Sequence, residues 1–179
     1  LGLQSLQHVR PAFMDEYDPQ TVYSSIDHHG RYAFANQAQI AHWNLACLSG
    51  CLIPLVDKNE EKSKAEINKV LEIFSKNVND EISMKMTQKI GLEKPDEESL
   101  EHLRALLKLM HENKTDYTLT FRSLSEVAQG EAKEFISFFD KEDSISDWIK
   151  DWEKLLSKQG KDRSETVDSM NSINPLYIP

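Results

Sequence analysis

Along most of the chain after Asn36, apolar side chains recur three and four positions apart. This spacing places them on one face of an α-helix, so it predicts a largely helical fold. The first such stripe predicts an apolar helix that Pro54 should end, because proline lacks a backbone N–H and clashes with the preceding turn. Its members are Ile40, Trp43, Asn44, Leu45, Cys47, Leu48, Cys51 and Leu52. We interpret this segment as a buried central helix.

A second, longer stripe follows, and capping signals mark both of its ends. Ser63 and Glu66 have the spacing of a capping box, and Gly91 stands where a helix C-cap is expected. The stripe consists of Ile67, Val70, Leu71, Phe74, Val78, Ile82, Met86 and Ile90. The sequence therefore predicts one long helix that ends before Gly91.

Further helical segments are predicted in the second half of the chain. The acidic stretch Asp96-Glu97-Glu98 favours a helix start through the helix macrodipole. A later helix should begin with an N-cap at Ser144 or Ser146 and end near Gly160. The apolar residues of these segments are Leu100, Leu103, Leu107 and Met110, then Phe135, Ile136, Phe138 and Phe139, and finally Ile145, Trp148, Ile149, Trp152, Leu155 and Leu156.

The segment YTLTFRSLSEV could be a strand, because Tyr117, Leu119 and Phe121 alternate with threonines. A lone strand among helices has no pairing partner, so we predict a short helix or a turn. Residues 1–34 show no lasting period and contain prolines and a glycine, which predicts an irregular connector. The expected fold is all-α, with a connector over residues 1–34 and one helical domain over 35–179 that holds a bundle of about six helices.

The charge balance argues against several classes of partner. Thirty acidic residues against twenty-one basic ones give a net charge of −9, and no basic stripe interrupts that balance, so nucleic-acid binding is not expected. No apolar run approaches the roughly eighteen residues of a membrane span. The N-terminus lacks the pattern of a signal peptide. We therefore expect a protein that neither crosses a membrane nor is secreted.

The densest group of titratable residues is DHHGR, at residues 27–31. Asp27, His28 and His29 are metal-ligand types, but neighbouring side chains in an extended chain point to opposite faces. A further ligand would have to come from elsewhere, and no candidate has a recognised spacing. The candidates are His8, His42, His102 and His111. The favoured interpretation is a turn in which Asp27 and Arg31 hydrogen-bond nearby backbone.

The two cysteines, Cys47 and Cys51, are four residues apart and would share a helix face. They could bind a soft metal or respond to oxidation, but free cysteines on an apolar helix usually pack as small core residues. They form no disulfide framework, which fits a reducing compartment.

Asp15, Glu16 and Asp18 could hold Mg²⁺ or serve as acid and base. A solvated turn that leads into Pro19 is the favoured interpretation. The six glycines form no phosphate-binding motif, and no G-x-S-x-G nucleophile motif is present. These residues by themselves predict a helical domain and do not indicate its function.

The order of several longer motifs is more specific than any single residue. FMDEYDP, SIDHHGRYAFANQ, HWNL and LIPL are followed by KMTQKIGL at 85–92, DYTLTFRSL at 116–124 and SMNSINPLYIP at 169–179. In this order the motifs strongly resemble those of the selenoprotein O family, also called the YdiU or UPF0061 family. The motif residues to which we assign structural roles are Asp15, Asp18, Asp27, Gly30, Arg31, Tyr32, Gln37, Trp43, Asn44, Asp116, Tyr117, Thr120, Phe121, Arg122, Asn174 and Pro175.

The resemblance implies a kinase-like fold and, for the whole protein, adenylyl transfer. Members of the family bind ATP with Mg²⁺ and transfer AMP to Ser, Thr or Tyr hydroxyls, by positioning and charge neutralisation around a phosphate. The motifs present in this chain resemble the activation-segment region and the helical C-terminal lobe, whereas the family's nucleotide-holding Lys and Arg residues and its Asp-Asn pair precede them. We therefore expect no catalytic, cofactor-binding or metal-binding residue in this chain, and ATP and Mg²⁺ only in the full-length parent.

One departure from the family concerns metal binding. In the family a run like LGLTIDYGPF precedes FMD and its Asp holds metal, whereas this chain has LGLQSLQHVRPA. The corresponding position falls near Gln7, and a neutral Gln cannot replace a carboxylate on Mg²⁺ with similar strength. Ala38 also stands where the family usually has Pro, and the family continues beyond the position of Pro179. Both ends of the chain are therefore expected to be truncated.

The leading hypothesis is a C-terminal helical fragment of a selenoprotein O-like protein adenylyltransferase that itself lacks the catalytic residues. The alternative is a non-enzymatic, pseudokinase-like interaction module derived from the same family, and a third hypothesis is a metal sensor that uses His28 and His29. The expected partners are the missing N-terminal catalytic lobe, protein substrates, and a second copy bound through exposed apolar surface. The expected location is the cytoplasm of a bacterium, or the mitochondrion of a eukaryote.

Overall fold

A computed structural model describes residues 14–175 of the chain. These residues form seven α-helices and a short 3₁₀-helix, Phe34–Asn36, and they contain no strand. The α-helices are α1 (Gln37–Val56), α2 (Glu60–Lys89), α3 (Glu97–Asn113), α4 (Tyr117–Ala128), α5 (Lys133–Ser137), α6 (Glu142–Lys158) and α7 (Arg163–Ile173). The all-α class is confirmed, and the segment that could have been a strand is helix α4, as predicted.

The described residues divide into two compact units. The first unit comprises Pro19–Ile82, and the second comprises residues 14–18 together with 83–175, so that α2 contributes to both. The expected boundary between a connector and a helical domain after residue 34 stays a prediction. Gln7, where the family resemblance places a metal-binding Asp, lies outside the described residues.

Helix α1 of the first unit has no buried residue, so the expectation of a buried central helix is wrong for this unit. Trp43 is 50% exposed and Leu55 is 80% exposed. An apolar helix is buried only where another surface covers it, and the residues of the first unit do not supply enough of that surface. Helix α1 also continues through Pro54 to Val56. A proline in the last turn removes one hydrogen bond without ending the helix at once.

The helical stretch Phe34–Val56 is long and apolar enough to cross a membrane by length and composition, with a mean hydropathy of 1.3. This finding corrects the expectation that no segment reaches that length. Uncharged polar residues such as Asn44 and Ser49 interrupt the apolar run, but residues 37–56 carry no Asp, Glu, Lys or Arg. The core helix of a soluble protein passes the same test, so the finding by itself assigns no membrane to this chain.

Helix α2 begins at Glu60, which places Ser63 inside its first turn rather than at the N-cap. The N–H of Lys62 donates to Asn59 Oδ1 at 3.1 Å, and Ser63 Oγ bonds the backbone of Asp57. The predicted capping box is therefore wrong, and Asn59 supplies the cap, a common role for asparagine. Of the predicted apolar stripe, Ile90 is buried, whereas Val70 and Ile82 are exposed.

The second unit has a core built by helices α3 to α7. Helix α3 contacts α6, α4 contacts α5 and α7, and α5 contacts α6. Trp152 is fully buried in this core, and its Nε1 donates to the carbonyl of Ile90 at 2.7 Å. The ring of Trp148 stacks on that of Trp152 with centroids 5.6 Å apart. The apolar stripes predicted for the second half of the chain thus face one another, which explains their period.

Three of the predicted helix ends in the second unit are confirmed and one is wrong. The confirmed ends include that of α6, which ends at Lys158, close to Gly160. Gly91 follows α2 with φ of +74°, and Asp96 caps α3 by accepting from the N–H of Ser99 at 2.9 Å. Helix α6 begins at Glu142 without a side-chain cap, so Ser144 and Ser146 lie inside the helix. Acidic residues in its first turn suit the positive end of the helix dipole and replace the cap.

His102 on α3 is half-buried against Trp148, with ring centroids 4.5 Å apart. Among the described residues its Nε2 has no hydrogen-bond partner. Burial lowers the pKa of His102 below its ordinary value, although the backbone of Trp148 and the charges of Asp151 and Glu98 act in the opposite direction. The unfolded chain therefore takes up this proton at a higher pH than the folded chain does.

We expect His102 to make the chain less stable as the pH falls below about 6.5, because protons then bind the unfolded state preferentially. The free energy of unfolding of the native chain should decrease more steeply between about pH 7.5 and about pH 5 than that of His102→Gln. Urea unfolding at each pH measures this difference. His28→Gln, an exposed histidine, is the control and should follow the native curve. Parallel curves for the native chain and His102→Gln would contradict the assignment.

Candidate functional site

The Asp27 turn lies in the first unit and contains the titratable group at 27–31. The carboxylate of Asp27 accepts hydrogen bonds from the N–H of Arg31 at 2.9 Å and of Tyr32 at 2.7 Å. Gly30 has φ of +65°, which a residue without Cβ adopts readily, and its carbonyl accepts from Asn36 Nδ2 at 3.0 Å. The bond from Tyr32 is the main cause that lowers the pKa of Asp27 below its usual value. Both oxygens of this carboxylate are thus engaged in closing the turn.

The guanidinium of Arg31 lies over the ring of Trp43, 4.1 Å from its centroid. Cation–π contacts at this distance are attractive even at exposed sites. The contact joins the Asp27 turn to helix α1. The backbone N–H of Arg31 helps to close the turn, and its side chain packs on α1. The other motif residues of α1, Gln37 and Asn44, are exposed.

His28 and His29 are exposed, and among the described residues no third ligand joins them. The candidate ligand His8 lies outside the described residues. Within residues 14–175 no group of three or more His, Cys, Asp or Glu side chains could hold a metal ion.

Cys47 and Cys51 are exposed, so the interpretation that they are small core residues is wrong. The cause is the uncovered apolar face of α1, on which both cysteines lie.

Residues 15–17 run alongside residues 115–117 in the second unit. The N–H of Tyr117 donates to the carbonyl of Asp15 at 2.7 Å, the N–H of Tyr17 donates to that of Thr115 at 2.9 Å, and Glu16 and Asp116 form an isolated antiparallel bridge. The carboxylate of Asp116 also caps α4 by accepting from the N–H of Leu119 at 2.7 Å. The acidic segment therefore attaches through its backbone.

Lys89, Arg122 and Asn174 form a polar cluster where α2, α4 and α7 meet. Asn174 is 2% exposed; its Nδ2 donates to the carbonyl of Lys89 at 2.7 Å, and its Oδ1 accepts from Lys89 Nζ at 3.2 Å. Arg122 Nη1 donates to the carbonyl of Asn174 at 3.1 Å and to that of Asn171 at 3.4 Å. The cluster binds the end of α7 to two other helices.

Aromatic rings complete the surroundings of the Lys89 ammonium. Nζ lies 5.5 Å from the ring centroid of Tyr117 and 5.2 Å from that of Phe121. Burial lowers the pKa of Lys89 below its ordinary value. The structure thus brings together four of the predicted motif residues: Tyr117, Phe121, Arg122 and Asn174. Thr120 is buried on the same helix, and Pro175 follows the cluster and is exposed.

Lys89 itself was not among the predicted site residues. Its position in KMTQKIGL, directly before the Ile-Gly that ends α2, was the available signal. A lysine in the last turn of a helix is usually explained by the macrodipole, which gives no reason to expect it in a half-buried cluster.

Comparison with known proteins assigns the family. The profile of the family described as "Protein adenylyltransferase SelO" matches residues 4–179 of this chain. Proteins named "Protein nucleotidyltransferase YdiU" from Maridesulfovibrio salexigens and Rhizobium etli are each 42% identical to it, over 168 and 170 residues respectively. The protein of the same name from Agrobacterium fabrum is 40% identical over 168 residues.

The names of these relatives describe nucleotidyltransferases. The chain belongs to the SelO family, also known by the name YdiU, as its motif order indicated. Each of the three relatives matches 94% of this chain, but the match covers 34% of the relative. The chain therefore spans about a third of the length of these curated relatives.

Proposed function

We propose that this chain corresponds to the C-terminal helical part of a SelO-type protein adenylyltransferase, and that it supports catalysis without supplying the reacting groups. The whole protein would transfer AMP from ATP to Ser, Thr or Tyr hydroxyls of protein substrates. ATP and Mg²⁺ would be held by the other part of the polypeptide. The family membership and the one-third coverage of the relatives support this assignment.

The observation that carries the proposal is the engagement of the polar motif residues in local structure. Asp27 closes a turn, Asp116 caps a helix, and Asn174 bonds the end of α2. A carboxylate that coordinates Mg²⁺ needs free oxygen lone pairs and neighbouring ligands. Asp27 and Asp116 accept backbone hydrogen bonds, and within the described residues no group of three or more possible ligands includes them. Their contribution would therefore be to hold the fold in place.

An alternative function, a non-enzymatic interaction module, draws support from the first unit. This unit exposes a set of large apolar side chains along α1 and α2, and exposed apolar patches of this kind mark interaction surfaces. They are Trp43, Leu48, Leu52, Leu55, Val56, Val70, Ile73 and Ile82. In the leading proposal the covering partner is the remaining part of the polypeptide; in the alternative it is a second copy of the chain or another protein.

Adenylyl transfer to protein can be tested directly with ATP labelled in its α-phosphate. Incubated with Mg²⁺ and a generic protein acceptor, a full-length relative should label the acceptor, whereas the 179-residue chain should leave it unlabelled. The full-length protein in the presence of a metal chelator is the control for metal-dependent transfer. Labelling by the chain alone would contradict the proposal.

The two functions predict different results when the chain is mixed with the separately produced remainder of a full-length relative. Restored labelling together with a stoichiometric complex would support the adenylyltransferase proposal. Self-association of the chain, with no complex formed with the remainder and no labelling restored, would favour the interaction module.

A further inference from the structure

Lys89 and Arg122 differ from the other basic residues of the second unit in their burial. Among its described residues they are the only lysine and arginine that are not classed as exposed over the whole residue. The lysines and arginines of this unit that form ion pairs are all on the surface; examples are Lys158 with Glu98 and Arg163 with Glu153. Within the described part of the chain, no carboxylate lies within ion-pair distance of Lys89 or Arg122. Two positive charges are therefore held in a partly buried place without a counter-charge from any described residue.

Both cations end on the same buried residue. Lys89 Nζ is 3.2 Å from the side-chain oxygen of Asn174, and Arg122 Nη1 is 3.1 Å from its backbone oxygen. The two cationic side chains therefore bind different atoms of the same asparagine. Partial burial without a carboxylate partner disfavours the charged form of Lys89, and it lowers the pKa of this lysine. An anion bound by both side chains would offset this cost of burial.

Lys89 and Arg122 have more N–H donors than the hydrogen bonds within the cluster use. A guanidinium carries five N–H donors and an ammonium carries three. Arg122 uses Nη1 alone for its two carbonyl bonds, and the hydrogen bond of Lys89 Nζ goes to Asn174. The faces of Tyr117 and Phe121 stabilise the ammonium as a cation and leave some of its donors unused. Donors of both side chains therefore remain for a ligand.

We propose that Lys89 and Arg122 form a binding site for a phosphate group. A phosphate carries close to two negative charges and several acceptor oxygens, so one group can neutralise both cations and accept from both side chains. Arginine matches the geometry of phosphate oxygens, and lysine adds a point charge. A carboxylate carries a single charge and would leave one of the two cations uncompensated.

The test is a titration of the isotope-labelled 179-residue chain with inorganic phosphate at constant ionic strength, followed by NMR. The largest shifts are expected at the Nε–H of Arg122 and at the side-chain amide of Asn174. Lys89→Gln should weaken phosphate binding about tenfold or more, since a charge-assisted hydrogen bond is lost. Lys150→Gln removes the same charge from an exposed residue that pairs with Asp147, and it should bind as the native chain does.

Each outcome of this titration decides the proposal. Shifts confined to other lysines, no saturable shift, or equal binding by Lys89→Gln and Lys150→Gln would overturn it. The mapping uses the native chain, so it remains decisive even if a variant fails to fold. Titration with O-phosphoserine distinguishes the source of the group: tighter binding than inorganic phosphate indicates a phosphorylated protein segment, and weaker binding indicates free phosphate. Acetate that binds as tightly as phosphate would overturn the assignment to phosphate.

Discussion

Replacing Trp152 with alanine should lower the free energy of unfolding of the second unit by about 3–5 kcal/mol, the range measured for buried aromatic residues truncated to alanine. Trp152 is fully buried, and its indole stacks on Trp148. The substitution also leaves the Ile90 carbonyl, which accepts from Trp152 Nε1, without its donor. An unsatisfied buried acceptor adds to the cost of the cavity. Urea unfolding followed by far-UV circular dichroism measures the change.

The matched control for this prediction is Trp43→Ala. Trp43 is 50% exposed on α1, where it contacts the guanidinium of Arg31. Its loss should cost about 1 kcal/mol or less, since only an exposed cation–π contact disappears. If Trp43→Ala and Trp152→Ala lower the free energy of unfolding equally, burial in the core of the second unit does not determine the loss of stability.

The second large effect is expected for Gly91→Ala. Gly91 has φ of +74°, where an L-residue with a Cβ is strained by about 1–2 kcal/mol. The added Cβ would also lie 2.9 Å from Met170 Sδ and 3.0 Å from Thr166 Cγ2, both in buried residues of α7. Overpacking of a core costs a further 1–3 kcal/mol or so, which gives about 2–5 kcal/mol in total. The free energy of unfolding from urea denaturation tests the sum.

Gly160→Ala separates the two causes. Gly160 has φ of +66°, but a Cβ there would meet nothing within 4 Å. It should therefore show the backbone strain of about 1–2 kcal/mol without the steric term. If Gly91→Ala is no more destabilising than Gly160→Ala, the close approach of α7 to Gly91 is not energetically important.

Most of the helices could be predicted from sequence because their cause is local or periodic. The stripes from Leu100 to Leu156 have the helical period, and they do face one another in the second unit. Gly91 and Asp96 mark helix ends by their own conformational preferences, and both predictions are confirmed. The Asp27 turn was likewise suggested by an aspartate and a glycine at suitable spacing.

The errors arise where a local signal competes with another or depends on distant residues. Ser63 and Glu66 had the spacing of a capping box, but Asn59 begins the helix a turn earlier. The burial of α1, and with it that of Cys47 and Cys51, was inferred from composition alone. Apolar composition indicates that a surface tends to be covered, and it does not say which part of a protein covers it.

The sequence by itself determined the helical class, the family and several helix ends, because hydrophobic period, motif order and the φ preferences of glycine are properties of neighbouring residues. Only the tertiary structure decided which polar groups meet. Lys89 and Asn174 are 85 positions apart, and Arg122 and Asn174 are 52 apart. Their proximity follows from the packing of α4 on α7 and from the end of α2, and no local pattern in the chain encodes that distance.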